Sequence, residues 1–210
     1  MAPVDPAALI LAGGLSSRMG EEKATLTIES KPLIRWAYDA ATRFSHHIYV
    51  SIHDDNTLKR YKRLLPDQAI FVKDIHDGPR SALLALLSSF ASITEETVAV
   101  MPVDSPFVDE KLMIQMLGRA KDFNLIIPMW PDGKLEAIHA VYARQNMTPT
   151  LQDLWSKGIL ELREIPRLTK TTLFIATEDL SESDAQLLSL RDADTPKEFD
   201  ALKIAWMARR

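Results

Sequence analysis

The chain has 210 residues, of which 46% are hydrophobic and 26% charged, a balance typical of a globular protein that can bury a core. Its formal net charge of −4 gives no general attraction to nucleic acid or to an anionic membrane, so we expect neither as a partner. The sequence has no cysteine, which excludes disulfides, thiolate metal sites and cysteine nucleophiles. The apolar run 7–12 is far too short to span a bilayer, and the chain start lacks the basic residues of a signal peptide; we therefore expect a cytoplasmic protein.

The first half of the chain alternates between strand patterns and helix patterns. Short apolar runs that end in glycine, proline or polar residues predict strands, and apolar residues three and four positions apart predict helices. The predicted strands lie at 8–12, 48–52, 70–72 and 97–102, and the predicted helices at 32–44, 57–65, 83–90 and 109–119. This alternation favours a three-layer α/β/α sandwich around a mostly parallel, Rossmann-like sheet. Ligands of such folds bind at the carboxyl ends of the strands.

The second half of the chain has a looser pattern. It predicts a strand at 125–128, a turn at 131–133, an extended segment at 136–142, a helix at 147–155, an extended segment at 171–176 and an amphipathic helix at 196–207. Trp130 stands beside the turn, where its ring could be exposed to a ligand. Because no repeat and no long linker interrupts the pattern, we expect a single domain over residues 1–210.

The segment 11–23, directly after the first predicted strand, combines glycines, serines, an arginine and a lysine. The glycines Gly13 and Gly14 allow the backbone to approach a ligand and to point N–H groups at it. Arg18 can bind phosphate oxygens through two N–H groups, and Lys23 supplies a compact positive charge. These are the components of a phosphate-binding loop, although their order matches neither the kinase-type P-loop nor the dinucleotide-binding glycine pattern. A tight turn with incidental charges is the alternative.

A second polar turn follows the predicted strand at 97–102. This apolar strand leads to Asp104, which is followed by a Ser-Pro-Phe sequence. Mg²⁺ in proteins prefers carboxylates together with phosphate oxygens of a bound ligand, so Asp104 at a strand end is the preferred metal ligand. An aspartate before Ser-Pro can also serve as a turn or capping residue.

The segment 11–23 resembles the signature loop of the molybdenum cofactor guanylyltransferase family, L-A-G-G-x-S-x-R-M-G-x-x-K, and matches it at every fixed position. Family members also carry an Asp-x-Pro turn, which the Asp104 turn resembles. The resemblance extends over about residues 8–205 and is weak between 123 and 190. It implies the fold of the nucleotide-diphospho-sugar transferases, with a nucleotide-binding half at 8–120 and an acceptor-binding half at 121–205.

The resemblance also implies which residues form the site. GTP would lie over the glycine loop, and Arg18, Lys23 and Asp104 would be the catalytic residues. Asp104 would hold Mg²⁺, the expected cofactor. The residues implied to bind the nucleotide are Leu11, Ala12, Gly13, Gly14, Lys23, His53, Asp74 and Asp104.

Two positions in the first half of the chain depart from the family pattern. The segment 73–82 resembles the family's aspartate followed by Gly-Pro-x-x-Gly, but Ala82 replaces the last glycine, and its methyl group could crowd the nucleoside. His53 stands near a place where family members often have asparagine. For Asp74, helix capping ahead of Pro79 is the alternative interpretation.

The segment 191–199 resembles the closing family motif N-x-N-T-P-E-[DE], with aspartates in place of both asparagines. By this resemblance, one of Asp192 and Asp194 could complete the metal coordination. Thr195 before Pro196 predicts a helix start equally well.

The function implied by the resemblance is transfer of GMP from GTP to a phosphate acceptor, molybdopterin, with release of pyrophosphate and formation of a molybdopterin guanine dinucleotide cofactor. The alternatives are a cytidylyltransferase or sugar-phosphate nucleotidyltransferase of the same fold, and a non-catalytic nucleotide-binding regulatory protein. The expected partners are GTP and a molybdopterin-type acceptor, with a molybdoenzyme or carrier protein as a further candidate. We expect a monomer or a weak homo-oligomer.

Overall fold

The computed structural model describes residues 5–12, 22–75, 78–180 and 187–208. In chain order, the strands are β1 (Ala7–Leu11), β2 (Thr27–Ile28), β3 (Lys31–Pro32), β4 (His47–Ile52), β5 (Ile70–Lys73), β6 (Thr97–Pro102), β7 (Leu125–Met129), β8 (Ala140–Ala143) and β9 (Thr172–Ala176). The helices are α1 (Leu33–Ala41), α2 (Asp55–Tyr61), α3 (Ala82–Ser92), α4 (Glu110–Leu117), α5 (Arg144–Ser156), α6 (Ile165–Leu168), α7 (Thr177–Leu180) and α8 (Pro196–Met207). Short 3₁₀ turns occur at Lys23–Thr25, Leu162–Glu164 and Leu188–Leu190. Within the described ranges, none of the helices has the length and apolar composition that a membrane span requires.

Among the described strands, seven form one sheet in the order β5-β4-β1-β6-β8-β7-β9, and β2 and β3 form a separate hairpin. β1 lies between β4 and β6 and is parallel to both, and β5 is parallel to β4. β8 is antiparallel to β6 and β7, while β9 is parallel to β7. The sheet is therefore mostly parallel, as predicted, and β8 runs against its neighbours.

The sheet is covered by helices on both faces. β1 is buried along its whole length, which explains its continuous apolar run, because a central parallel strand has no solvent-facing side. Alternate residues of β1 face opposite layers: Ala8 and Ile10 pack with α1, α2 and α4, and Leu9 packs with α3 and α5. This arrangement is the predicted three-layer α/β/α sandwich.

In a third apolar cluster, the last helix, α8, packs against the turn that follows β6. Phe107 of this turn stacks on Trp206 of α8, with ring centroids 4.1 Å apart, and contacts Trp36 of α1 edge-on at 5.7 Å. α8 begins with a capping box, in which the Thr195 side chain accepts from the Glu198 backbone N–H and the Glu198 carboxylate accepts from the Thr195 N–H. The segment before α8 consequently lies beside the Asp104 turn.

The predicted extended segment 136–142 is wrong in its first part. β7 is followed by a short hairpin-like return, in which the Trp130 N–H donates to the Lys134 carbonyl and the Glu136 N–H donates to the Pro128 carbonyl. The His139 N–H then donates to the Glu136 carbonyl at 2.9 Å, so 136–139 is a turn and β8 begins at Ala140. Of the apolar residues of the turn, Ala137 is buried and Ile138 partly buried, and such residues resemble those of a strand.

Candidate active site

A cleft of about 390 Å³ lies at the carboxyl ends of β1, β4 and β6. Leu11, Ser51 and Pro102 line it from the strand ends, and Ser81 and Ala82 line it from the start of α3. The helix is capped toward the cleft, because the Ser81 hydroxyl accepts a hydrogen bond from the Leu84 N–H at 3.1 Å. The cleft is therefore at the place where a parallel α/β sheet is expected to bind a ligand.

Lys23 joins the two halves of the chain at this cleft. Its ammonium group donates to Asp104, which follows β6, and to Asp194 at 2.5 Å, which precedes α8. The side chains of Lys23 and Asp104 are each 13% exposed, whereas the Asp194 side chain is 54% exposed. Two predicted candidates from distant parts of the sequence, Asp104 and Asp194, thus converge on one positive charge.

The electrostatics of this group follow from its burial. Burial would lower the pKa of the Lys23 ammonium, but Asp104 and Asp194 outweigh it and raise that pKa above the ordinary value. Burial raises the pKa of the Asp104 carboxyl, while the Lys23 charge opposes the shift. Lys23 is therefore fully charged at neutral pH and is suited to neutralise negative charge in the cleft.

Asp192 lies close to the same group but has a different partner. The Ser105 hydroxyl lies 2.9 Å from its Oδ1 atom, and this serine belongs to the Asp104 turn. Burial raises the pKa of the Asp192 carboxyl, and the Ser105 hydrogen bond opposes that shift. Asp192 thus ties the C-terminal segment to the Asp104 turn, while Asp194 contacts Lys23 itself.

His53 and Asp74 form a pair at the edge of the cleft. The His53 Nδ1 atom lies 3.0 Å from Oδ2 of Asp74, and Asp74 lines the cleft. Asp74 is fixed at the end of β5 because its backbone N–H donates to the Ile52 carbonyl at 3.1 Å. The structure therefore brings these two predicted nucleoside-binding residues together.

The end of β1 is held by hydrogen bonds on both sides. Leu11 lines the cleft, and its carbonyl accepts from the Val103 N–H at 3.1 Å. The Ala12 N–H donates to the Ser51 hydroxyl at 3.1 Å. The predicted contacts of Gly13 and Gly14 and the catalytic role of Arg18 lie outside the described residues.

The structure adds residues that the sequence analysis did not select. Arg80 lines the cleft, and its guanidinium lies 3.7 Å from the Asp54 carboxylate. Its place directly after Gly78-Pro79, in a segment already suspected to bind the nucleoside, could have identified it. Arg80 is a second cation at the cleft beside Lys23.

Glu136 and His139 form a buried pair in the turn that precedes β8. The Glu136 carboxylate accepts from the Trp130 Nε1 atom at 2.6 Å and pairs with Lys134 at 2.8 Å, so Trp130 is held by this carboxylate and is half-buried. His139 Nδ1 lies 3.8 Å from Glu136 Oε2. Burial lowers the pKa of His139 to about 4, with the Asp104 and Glu136 charges opposing the shift, so the ring is neutral at neutral pH. A glutamate and a histidine inside an apolar run were the signal that could have marked them.

In the described part of the chain, no group of three or more histidine, aspartate or glutamate side chains is arranged to hold a metal ion. Such a group is not required for Mg²⁺, which is commonly held by one or two carboxylates together with the phosphates of a substrate. Asp104 and Asp194 fit this donor set, since both contact the same cation, the Lys23 ammonium.

Comparisons with known proteins agree with this fold. The family model described as the MobA-like NTP transferase domain matches residues 8–172. A probable molybdenum cofactor guanylyltransferase from Methanosarcina mazei is 26% identical over 200 residues, which cover 92% of this chain and 88% of that protein.

Two solved structures show the same fold at low sequence identity. Molybdopterin-guanine dinucleotide biosynthesis protein A from Archaeoglobus fulgidus has a TM-score of 0.83 and 20% identity, covering 96% of this chain and 99% of that chain. 2-C-methyl-D-erythritol 4-phosphate cytidylyltransferase from Thermus thermophilus has a TM-score of 0.70 and 17% identity, covering 98% of this chain and 100% of that chain. Because the family model covers most of the sequence, the chain belongs to the family of MobA-like NTP transferase domains.

Proposed function

We propose that this protein transfers GMP from GTP to a phosphate group of a molybdopterin-type acceptor, forming a molybdopterin guanine dinucleotide cofactor and pyrophosphate. The observation that carries the proposal is the Lys23 ammonium, bound by Asp104 and Asp194 at the carboxyl ends of the strands. The names of the Methanosarcina mazei relative and the Archaeoglobus fulgidus structural neighbour support guanylyl transfer to this acceptor.

The reaction needs no covalent enzyme intermediate. An oxygen of the acceptor phosphate forms a bond to the α-phosphorus of GTP, while the bond from that phosphorus to the oxygen bridging the β-phosphorus breaks. Pyrophosphate leaves with the electron pair of the broken bond. Catalysis of such a transfer consists mainly of positioning and of stabilising charge on the phosphate oxygens. Lys23 supplies positive charge for this purpose, and Arg80 is a second cation at the cleft.

Mg²⁺ belongs to the proposal as the cofactor. Asp104 would hold it, with Asp194 as the second carboxylate and Asp192 as the alternative, because Asp194 contacts the Lys23 charge and Asp192 accepts from Ser105. When bound, the cation would neutralise negative charge on the phosphates. The Lys23 ammonium would then be available to the phosphates of the substrate.

Base selection is the part of the proposal with the strongest rival. The cytidylyltransferase of Thermus thermophilus has the same fold, and His53 and Ala82 depart from the guanylyl pattern. Against CTP stands the Gly13-Gly14 pair, because it belongs to the segment 11–23 that resembles the guanylyltransferase signature loop. A glycine allows a purine to lie closer to the backbone.

The proposal is tested by incubating the purified protein with molybdopterin and each of the four nucleoside triphosphates, with Mg²⁺ or with a chelator. Pyrophosphate release and the mass of the dinucleotide product are measured. We expect a product with GTP, and we expect it when Mg²⁺ is present but not when the chelator is. A cytidine dinucleotide would replace the guanylyl assignment, and GTP binding without any product would support the non-catalytic alternative.

A further inference from the structure

Tyr61 connects two backbone regions of the candidate site through a single hydroxyl group. It is the last residue of α2 and is fully buried. Its hydroxyl oxygen lies 3.0 Å from the Ala12 carbonyl oxygen and 2.5 Å from Oε1 of Glu22. The second Glu22 oxygen pairs with the guanidinium of Arg60, the neighbour of Tyr61 in the helix.

These contacts bring together two residues that are ten positions apart in the sequence. Ala12 is the residue after β1, and its N–H is held by the Ser51 hydroxyl. Glu22 precedes Lys23, and its carbonyl accepts from the Thr25 N–H at 3.0 Å and the Thr25 hydroxyl at 2.8 Å. A displacement of Glu22 would therefore move the start of the turn that carries Lys23.

Tyr61 is the donor on which both contacts depend. The hydroxyl carries a single proton, which lies between two acceptors, the Ala12 carbonyl and the Arg60-paired Glu22 carboxylate, and neither acceptor can donate to the other. Burial raises the pKa of Tyr61, which keeps the hydroxyl protonated. A phenylalanine at this position would retain the ring in the core and leave two acceptors without their shared donor.

We propose that Tyr61 is a positioning residue of the nucleotide site, which fixes the Ala12 carbonyl and, through Glu22, the Lys23 ammonium relative to each other. The inference rests on the proposed function, because it assigns Tyr61 to the binding and turnover of GTP. Tyr61 does not need to touch the nucleotide to act in this way.

Tyr142 offers a matched control. It is also fully buried, and its hydroxyl donates to a backbone carbonyl, that of Ala137, at 2.6 Å. Tyr142 lies in β8 and packs in the cluster with α3 and α5, whereas Tyr61 packs in the cluster on the other face of the sheet. Tyr61→Phe and Tyr142→Phe therefore each remove one buried hydroxyl, but only the first removes a link to Ala12 and Glu22.

The experiment compares wild type, Tyr61→Phe and Tyr142→Phe by thermal unfolding, by calorimetric titration with GTP and by steady-state kinetics. We expect similar losses of thermal stability in both variants. Tyr61→Phe should weaken GTP binding about tenfold, equivalent to ~1.4 kcal/mol, and should also lower kcat because Lys23 is displaced. Tyr142→Phe should leave GTP affinity and kcat within about twofold of wild type.

Arg60→Gln provides a second variant if Tyr61→Phe does not fold. The Arg60 side chain is 52% exposed, so its replacement removes the ion pair with Glu22 without opening the core. We expect GTP affinity to fall by about threefold. Equal GTP affinities in Tyr61→Phe and Tyr142→Phe would overturn the inference and leave the proposed function standing. If Tyr61→Phe does not fold, a wild-type GTP affinity in Arg60→Gln would overturn the inference in the same way. A wild type that does not bind GTP would overturn the proposed function and the inference together.

Discussion

The first half of the chain at 8–120 and the second half at 121–205, which the sequence analysis predicted to bind the nucleotide and the acceptor, contribute to the site in different ways. In the first half, β1, β4, β5 and β6 are parallel neighbours. His53 and Asp74 follow β4 and β5 directly, and Asp104 lies two residues after the end of β6. In the second half, the antiparallel strand β8 places the turn at 136–139 beside the end of β6, and the segment before α8 reaches the same place over the Asp104 turn. The first half thus supplies the cleft with Lys23, Asp104 and Arg80, and the second half adds the carboxylates of Asp192 and Asp194 beside it.

This difference teaches that the regularity of a segment's sequence pattern does not indicate how many residues the segment contributes to the site. The weakly patterned half provides Asp194, which contacts Lys23, and Asp192, which contacts Ser105. It also provides Glu136 and His139, which are both buried, and His139 lies within reach of the Asp104 charge. The predictions below ask how much of the chemistry belongs to each half.

The largest effect is expected from the first half, in Asp104→Asn. A neutral amide is a poor ligand for Mg²⁺ and no longer balances the Lys23 charge, so kcat should fall by about 100-fold or more, equivalent to ~2.7 kcal/mol. The measurement is pyrophosphate release at saturating GTP. Circular dichroism and thermal unfolding serve as controls for the fold. Turnover near the wild-type rate in a folded variant would remove Asp104 from the catalytic group.

The second prediction concerns His139 and separates a structural role of the second half from a chemical one. Burial lowers the pKa of His139 to about 4, below the value of about 6.5 expected in the unfolded chain. Between these values the unfolded state binds the proton more readily, so the wild type loses stability as pH falls from about 6.5 towards 4, by up to ~1.4 kcal/mol per pH unit. His139→Phe has no titrating group at this position and therefore lacks this pH-dependent loss of stability.

Urea unfolding of wild type and His139→Phe at pH 7.5, 6 and 5 measures the contribution of His139 to the pH dependence of the unfolding free energy. The stability of the variant relative to wild type should increase by about 2 kcal/mol between pH 7.5 and pH 5. His46→Gln is the control, since the His46 side chain is 88% exposed. If the two unfolding free energies change in parallel with pH, His139 does not titrate as its burial implies.

Most of the fold could be predicted because it depends on patterns that sequence records directly. The strand at β6 and the helix at α8 have the predicted bounds, since a continuous apolar run favours a buried parallel strand and Thr-Pro favours a capped helix start. The turn at 136–139 could not be predicted, because Ala137 and Ile138 precede the apolar run of β8 and extend its strand-like pattern. The direction of β8 also depends on that turn.

The site could be predicted in part. Lys23 and Asp104 stand in motifs with a distinct order of residue types, and the structure places their side chains in contact. The contact of Asp194 with Lys23 depends on an apolar cluster around Phe107 and Trp206, which sequence spacing does not reveal. The role of Tyr61 was missed for a similar reason, since a buried tyrosine in a helix has the pattern of an ordinary core residue.

A third prediction compares the two aspartates of the second half. Asp194→Asn should lower kcat/KM by about tenfold, ~1.4 kcal/mol, and raise the Mg²⁺ concentration needed for half-maximal rate, because Asp194 contacts the charge at the cleft. Asp192→Asn should have a smaller effect, since an amide oxygen can still accept from Ser105. The measurement is a Mg²⁺ titration of both variants. The opposite ranking would assign the metal to Asp192.

The smallest effect is expected at Ala82, where the chain departs from its family within the first half. Ala82 is the first residue of α3 and lines the cleft. If its methyl group crowds the nucleoside, Ala82→Gly should tighten GTP binding by about threefold, ~0.7 kcal/mol, at a cost of up to about 1 kcal/mol in helix stability.

Ala91→Gly carries the same kind of helix cost at an exposed position near the other end of α3 and should leave GTP affinity unchanged. Calorimetric titration of both variants with GTP and CTP measures the difference. Tighter binding of GTP alone would place the guanine against Ala82, tighter binding of both nucleotides would place the shared ribose there, and equal or weaker binding in a folded Ala82→Gly would show that the methyl group does not limit the cleft.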